Sequence, residues 1–316
     1  MLEPQLAALA AAQRGAFTRK QARAAGYLPA RIDGLVRTGR WRVLRKGVYV
    51  DRDAYATAAA DPTRLHLLLV SAAVLRLGED VFASHESGAL VHGLRVLTIP
   101  EDVQLSRHAA ELRSSDHYDK LYVHRAALPA GHLVPDLGAV AAARAVADVA
   151  RERGLLAGVV TADAALHLRR CSKAELLSVA RDLQGWPGAE AVRRAAELAD
   201  GRGESVGESV SRLRLMDTDL PQPVPQFKVY ANGRLLGISD FGWEEYGLLG
   251  EVDGRSKYRE NPFDSVWSER IRQQSFQDSG NHIVRWTHDE ALYEFGDVVA
   301  PRIRRELDRA IAMRSA

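Results

Sequence analysis

Two apolar runs that each close on acid, Leu235–Phe241 and Leu248–Asp253, restrict what this chain can fold into more than any other stretch. Both read as strands, with Trp243 to Gly247 as the turn between them. A hairpin of that register sets Asp240 beside Glu251, and period-two alternation puts Glu251 and Asp253 on one face. Carboxylates gathered at the buried end of a hairpin repel one another unless a cation lies among them. An oxygen-rich set of this kind suits Mg²⁺ or Mn²⁺, which keep some waters and pair with phosphates. Lys257 lies four residues beyond Asp253, within reach of a bound phosphate or hydroxide. The same letters also describe a solvated hairpin rim with an Asp-Gly turn, and the residues alone leave both readings open.

At 316 residues the chain has room for two to three domains, each with its own core. A single cysteine, Cys171, excludes an intramolecular disulfide and any multi-thiolate zinc site, which fits a reducing, cytoplasmic compartment. No run of 18 apolar residues occurs, so no membrane span is expected. The opening stretch carries Glu3 and no basic region, and reads as a helix rather than a signal peptide.

A net charge of +2 conceals a strong asymmetry. Residues 1–50 hold ten lysines and arginines against two acids, Glu3 and Asp33, a local balance of +8. Residues 4–13 form an Ala-rich helix, Thr18 caps a second that stops at Gly26, and Pro29 opens a third that ends at Gly39. Trp41 to Leu44 and Val48 to Val50 then alternate as two strands around a basic turn. Three helices followed by a basic two-stranded wing is the winged-helix arrangement. Its third helix would enter the major groove, with Arg31 and Arg37 near its ends. Arg42, Arg45 and Lys46 would meet phosphate or the minor groove, with Arg19, Lys20 and Arg40 completing the basic surface. The same small fold also serves protein contacts, but the charge balance favours nucleic acid.

Arg14 to Gly26 and Arg40 to Val50 resemble the N-terminal winged helix of AbiEi-type antitoxins and related actinobacterial regulators, over about residues 5–55. The resemblance implies binding to operator DNA and repression of a toxin–antitoxin operon, with a toxin as a possible partner. From residue 61 to 200 the pattern is mostly helical: helices over Thr63–Leu77, 139–152, 154–168, 172–184 and 188–200, and two short strands, 102–106 and 120–125. His85, Glu86 and His92 invite a metal reading, but Ser84 capping a helix of packed histidines explains them more simply. This region resembles the connecting segment of proteins with an AbiEi-like head.

The Gly/Ser/Glu stretch 201–209 marks a junction and opens a helix on which Glu208 and Arg212 stand four apart. Asn232-Gly233 is a two-residue hairpin signal. The order is then helix, three-strand meander, helix over 265–279, strand over 282–287 and a final helix from Asp289. That is the core order of restriction-endonuclease-like folds. The segments 208–212, 220–226, 239–241, 251–254, 268–272 and 279–287 resemble the very-short-patch-repair (Vsr)-like branch of the PD-(D/E)XK nucleases, over 204–309. The resemblance implies Asp240 as the metal-binding aspartate, Glu251 as the acid of the second motif and Glu208 as the acid of the first helix. Gln226 falls where relatives carry a strand glutamine facing the site. Asp253 occupies the place of the usual lysine, leaving Lys257, then Lys228, as substitutes.

The expected organisation is therefore an α+β multidomain chain. It comprises a winged helix at 1–58, a mainly helical connecting region at 59–200 and a nuclease-like α/β domain at 201–316. Two functions compete. One is a Mg²⁺- or Mn²⁺-dependent DNA endonuclease, with Asp240, Glu251 and Glu208 on the cation and Lys257, Asp253 and Gln226 around it. The other is an AbiEi-like regulator or antitoxin whose nuclease-like domain is inactive.

Overall fold

The computed structural model describes residues 2–108, 113–254 and 272–314. The chain mixes helix and sheet and divides into two compact units, residues 1–161 with 169–197, and residues 162–168 with 198–316. No described helix is long and apolar enough to cross a membrane.

The first unit begins with α1 (Pro4–Ala12), β1 (Ala16–Thr18), α2 (Arg19–Ala24), α3 (Pro29–Arg37), β2 (Trp41–Arg45) and β3 (Val48–Asp51). Thr18 and Gln21 form a reciprocal capping box that starts α2. Pro29 sits in the first turn of α3, where its missing N–H costs nothing. The three strands form an antiparallel sheet in the order β1-β3-β2. Leu6, Phe17, Ile32 and Trp41 are fully buried between helices and sheet, and Phe17 meets Trp41 edge-on at 4.8 Å. Strand β1 carries too few residues to show any periodicity, which is why the pattern concealed it.

After α4 (Arg52–Ala59), helix α5 (Pro62–Leu77) packs Leu68 and Ala72 against Ala16, Val48 and Val50. No break in packing therefore falls at residue 58. The region that follows is less purely helical than its pattern. It contains β4 (Val81–Ala83), α6 (His85–Val91), β5 (Val103–His108), β6 (Arg113–Tyr118), β7 (Leu121–Ala126), β8 (Leu133–Val134) and β9 (Ala139–Val140). These strands make one six-stranded mixed sheet, ordered β6-β7-β5-β4-β9-β8. Strands β5 and β7 are those expected near 102–106 and 120–125. Of the other four, β4, β8 and β9 are only two or three residues long, and β4 pairs with the distant β9. Gly88 lets α6 lie on β4, since a Cβ there would stand 2.8 Å from the Ala83 carbonyl oxygen. Helices α7 (Ala142–Arg153), α8 (Leu155–His167), α9 (Lys173–Asp182) and α10 (Ala189–Leu198) fall close to their expected positions. Ser172 and Glu175 form a second capping box, at α9.

Ser84 precedes α6 but makes no side-chain cap; its hydroxyl lies 3.0 Å from His85 Nδ1 instead. Glu86 pairs with Arg153 at 2.6 Å and His92 Nε2 lies 2.7 Å from the Val140 carbonyl, so these two do not join His85 in a cluster.

The second unit holds α11 (Val206–Met216), β10 (Val224–Ala231), β11 (Arg234–Trp243), β12 (Leu248–Asp253), α12 (described over 272–278), β13 (His282–Thr287), α13 (His288–Tyr293) and α14 (Ala300–Arg314). The sheet order is β10-β11-β12-β13, antiparallel except for β12 beside β13. Both residues of the Asn232-Gly233 turn take positive φ, as a two-residue hairpin of this hand requires. Phe241 stacks on Trp286, whose indole N–H donates to Ser211 on α11 at 2.8 Å. Gly207 lets α11 approach β12, for a Cβ there would fall 2.7 Å from Val252 Cγ1. Arg212 does not pair with Glu208; it reaches the buried Asp163 at 3.0 Å.

Candidate functional site

On the winged helix, α3 presents Arg31, Asp33 and Arg37 outward, and Lys46 occupies the exposed turn between β2 and β3. Lys20 and Arg42 are exposed as well. Arg31 lies 4.6 Å from the centre of the Tyr27 ring and 3.7 Å from Glu3, and Arg42 lies 4.0 Å above Tyr55. The tyrosines hold these guanidinium planes in place, and Glu3 meets Arg31 only at 3.7 Å with both side chains exposed.

Three of the expected cations are committed within the protein. Arg19 grips Asp33 through two hydrogen bonds of 2.7 and 3.3 Å, and that contact holds the Asp33 carboxyl below its ordinary range. Arg40 pairs with Asp51 at 3.3 Å and Asp53 at 3.0 Å. Arg45 donates to the carbonyls of Asp119 and Lys120, in the β6–β7 turn, at 2.6 and 2.9 Å. The surface left for phosphate is therefore narrower than the charge count, and centres on Lys20, Arg31, Arg37, Arg42 and Lys46.

In the second unit Asp240 lies on β11, Glu251 and Asp253 on the neighbouring β12, and Glu208 on α11. The β11–β12 ladder pairs Phe241 with Gly250, and Asp240 next to it accepts the Val252 amide at 2.7 Å. Its carboxylate thus takes a backbone donor at the end of the β11–β12 ladder. Glu251, 3% exposed, accepts from Arg272 at 3.1 Å. Asp253 is held from two sides by Arg285, at 2.8 and 3.2 Å. Alternation places Glu251 and Asp253 on one face of β12, and Arg285 stands beside Glu251 in the parallel ladder. Glu208, buried at the start of α11, accepts from Gln226 at 2.8 Å and from the Glu204 amide at 2.9 Å.

Gln226 lies opposite Asp240, between the pairs Pro225–Phe241 and Phe227–Ser239. Its φ of 52° is left-handed, a strained conformation for a non-glycine residue within a strand, and it accompanies the hydrogen bond to Glu208. Lys228 is exposed on β10, and Lys257 lies outside the described residues. Two functional-site cations were missed by sequence reasoning: Arg272 and Arg285 stand 21 and 32 residues from the acids they hold, and no local spacing links them.

No three of Glu208, Asp240, Glu251 and Asp253 bring ligand atoms within 4.8 Å of one another among the described residues. The donor chemistry suits a hard divalent cation, but in this arrangement arginines, not a cation cradle, meet Glu251 and Asp253.

Residues 4–50 match the family described as transcriptional regulator, AbiEi antitoxin. Regulators of that type bind DNA. The chain is also 33% identical over 172 residues to two uncharacterised proteins of Mycobacterium tuberculosis, from strains CDC 1551 and H37Rv. The match takes in 54% of this chain and 62% of each relative, so the chain spans less than two thirds of their length.

Proposed function

We propose that this chain is a transcriptional regulator of the AbiEi antitoxin type that binds operator DNA through its N-terminal winged helix. The observation that carries the reading is the outward face of α3 with the wing turn beside it, where Arg31, Arg37 and Lys46 stand exposed within a stretch matching that regulator family. In this reading α3 enters the major groove and Lys46 contacts the flanking backbone. The natural target is DNA upstream of the chain's own coding sequence, with repression shared with a cognate toxin. Fluorescence anisotropy against that upstream DNA and a shuffled duplex tests the proposal. Preference for the upstream duplex, lost in Arg37→Ala, is the expected result; equal affinity for both duplexes would remove operator recognition.

A second reading keeps the restriction-endonuclease-like, Vsr-like domain as a Mg²⁺- or Mn²⁺-dependent DNA endonuclease. It is favoured by the strained Gln226, which reaches Glu208 from a position opposite Asp240. Strain of this kind concentrates at functional positions. Glu208, Asp240 and Glu251 are the residues proposed to hold the cation, and Arg272 is the group that would have to leave Glu251. Supercoiled plasmid, linear duplex and single strands incubated with Mg²⁺ or Mn²⁺ provide the assay. Cutting that disappears in Asp240→Ala supports this reading. Intact substrates in every condition leave the domain as a binding surface.

A further inference from the structure

The sheet of the first unit gathers a second set of chemically capable side chains. His85 follows β4 directly, 1% exposed, with a left-handed φ of 51° that a non-glycine residue holds only where its surroundings over-determine it. His124 comes from β7 and Glu152 from the last turn of α7. His85 Nε2 lies 3.2 Å from Glu152 Oε1, and His124 Nδ1 lies 3.5 Å from the same oxygen. The two imidazoles stack at 4.0 Å. Among the described residues this is the one trio of histidine, cysteine or acidic side chains whose ligand atoms all lie within 4.8 Å of one another.

The remote ring nitrogens are also held. His124 Nε2 is 2.7 Å from Gln104 Oε1, and His85 Nδ1 is 3.0 Å from Ser84 Oγ, which itself accepts from Ser106. Outer hydrogen bonds of this kind fix the tautomer and aim of metal-ligating imidazoles. With the Gln104 amide oriented as found, Nε2 of His124 carries the proton, so a neutral ring points its Nδ1 lone pair at the Glu152 carboxylate. Lone pairs facing each other at 3.5 Å call for a cation between them.

His85 Nε2 is buried, faces Glu152 at 3.2 Å and has no well-aligned hydrogen-bond partner. The separations of 3.2 and 3.5 Å match the edge of a coordination tetrahedron, about 3.3 Å for bonds of about 2.0–2.1 Å. Beyond His124 and Glu152 opens a cavity of about 520 Å³, bounded also by Gln104, Tyr122 and Arg153.

We propose that His85 Nε2, His124 Nδ1 and Glu152 bind one divalent first-row transition cation of the Zn²⁺ class, with its fourth position open to that cavity. Two imidazoles and one carboxylate are the donor set of open, three-ligand zinc sites. The site is independent of the DNA-binding reading and of the carboxylates in the second unit.

The test is titration of the chelator-treated, full-length protein with Co²⁺ as a spectroscopic probe, followed by Zn²⁺ competition. One equivalent of Co²⁺ is expected to give the visible bands of a four-coordinate ion, displaced by Zn²⁺. Glu152→Gln, checked for folding by circular dichroism, should weaken binding by about tenfold or more, and Gln104→Ala by about tenfold through loss of the outer hydrogen bond. His124→Asn replaces Glu152→Gln should that variant fail to fold, with the same loss expected. Absence of the bands at millimolar Co²⁺, the result for a proton-bridged His85–Glu152 pair, overturns the proposal. So does a Glu152→Gln titration that superimposes on the wild type.

Discussion

The salt dependence of DNA binding can be worked out from the fate of individual guanidinium groups. Each cation that neutralises a phosphate contributes about −0.9 to the slope of log affinity against log salt. If all eight expected residues met phosphate, the slope would be about −7.2, and raising salt from about 50 to 200 mM would cost about 2 × 10⁴-fold in affinity. The structure argues for fewer. Arg19 and Arg40 already neutralise Asp33, Asp51 and Asp53, and moving them to phosphate would strand those carboxylates beside the DNA. Arg45 would have to abandon two carbonyls, each a charge-assisted bond of about 1.5–3 kcal/mol. That leaves Lys20, Arg31, Arg37, Arg42 and Lys46, a slope of about −4.5 and a loss of about 500-fold over the same salt range. Fluorescence anisotropy at several salt concentrations measures the slope directly. Lys46→Ala should flatten it by about 0.9, whereas Arg45→Ala should leave it unchanged. A wild-type slope near −7, or equal flattening by the two variants, would refute the division into committed and available cations.

Other perturbations have equally definite outcomes. Gly207→Ala places a methyl 2.7 Å from Val252 Cγ1, and overpacking there should cost about 1–3 kcal/mol in urea denaturation; an unchanged midpoint would mean α11 can shift freely. Trp41→Ala empties the centre of the winged-helix core and should destabilise the first unit by about 3–5 kcal/mol, read by thermal melting, with a loss under about 1 kcal/mol contradicting its central place. Burial, helped by Glu175, pushes the Cys171 thiol from 9.0 up to about 12, so the reactive thiolate is scarcer than in an ordinary cysteine at any pH below that value. Modification by a thiol reagent at pH 8 should be about a thousandfold slower than for an unperturbed thiol, and should keep rising with pH beyond 9; a plateau near pH 9 would show that Cys171 is not buried as described.

What could be read from the letters was what local chemistry dictates. The Thr18 cap of α2, the start of α9 near 172 and the Asn232-Gly233 turn each depend on residues within a few positions, and each landed where expected. The six-stranded sheet was largely hidden, because β4, β8 and β9 are two or three residues long and β4 pairs with β5 and β9, both far from it in sequence. The candidate sites divide in the same way. Asp240 and Glu251 could be placed on adjoining strands from hairpin register alone, whereas Gln226 entered only through a resemblance. That Arg272 and Arg285 meet Glu251 and Asp253, that Arg212 turns to Asp163, and that His85 finds His124 and Glu152 depends on tertiary packing. Spacing along one helix therefore suggested the wrong partner for Arg212.

The left-handed backbone at Gln226 also shapes how that position tolerates change. Glycine would relieve the conformation but remove the hydrogen bond to Glu208, and asparagine would keep the backbone preference with a shorter reach. Leucine or valine would lose both the polar contact and the backbone fit. In a saturation library, selection for folding alone should thus enrich glycine and asparagine at 226, whereas selection for the proposed DNA cleavage should retain glutamine. The gap between those two enrichment profiles would register how much work the amide performs, without knowledge of the substrate.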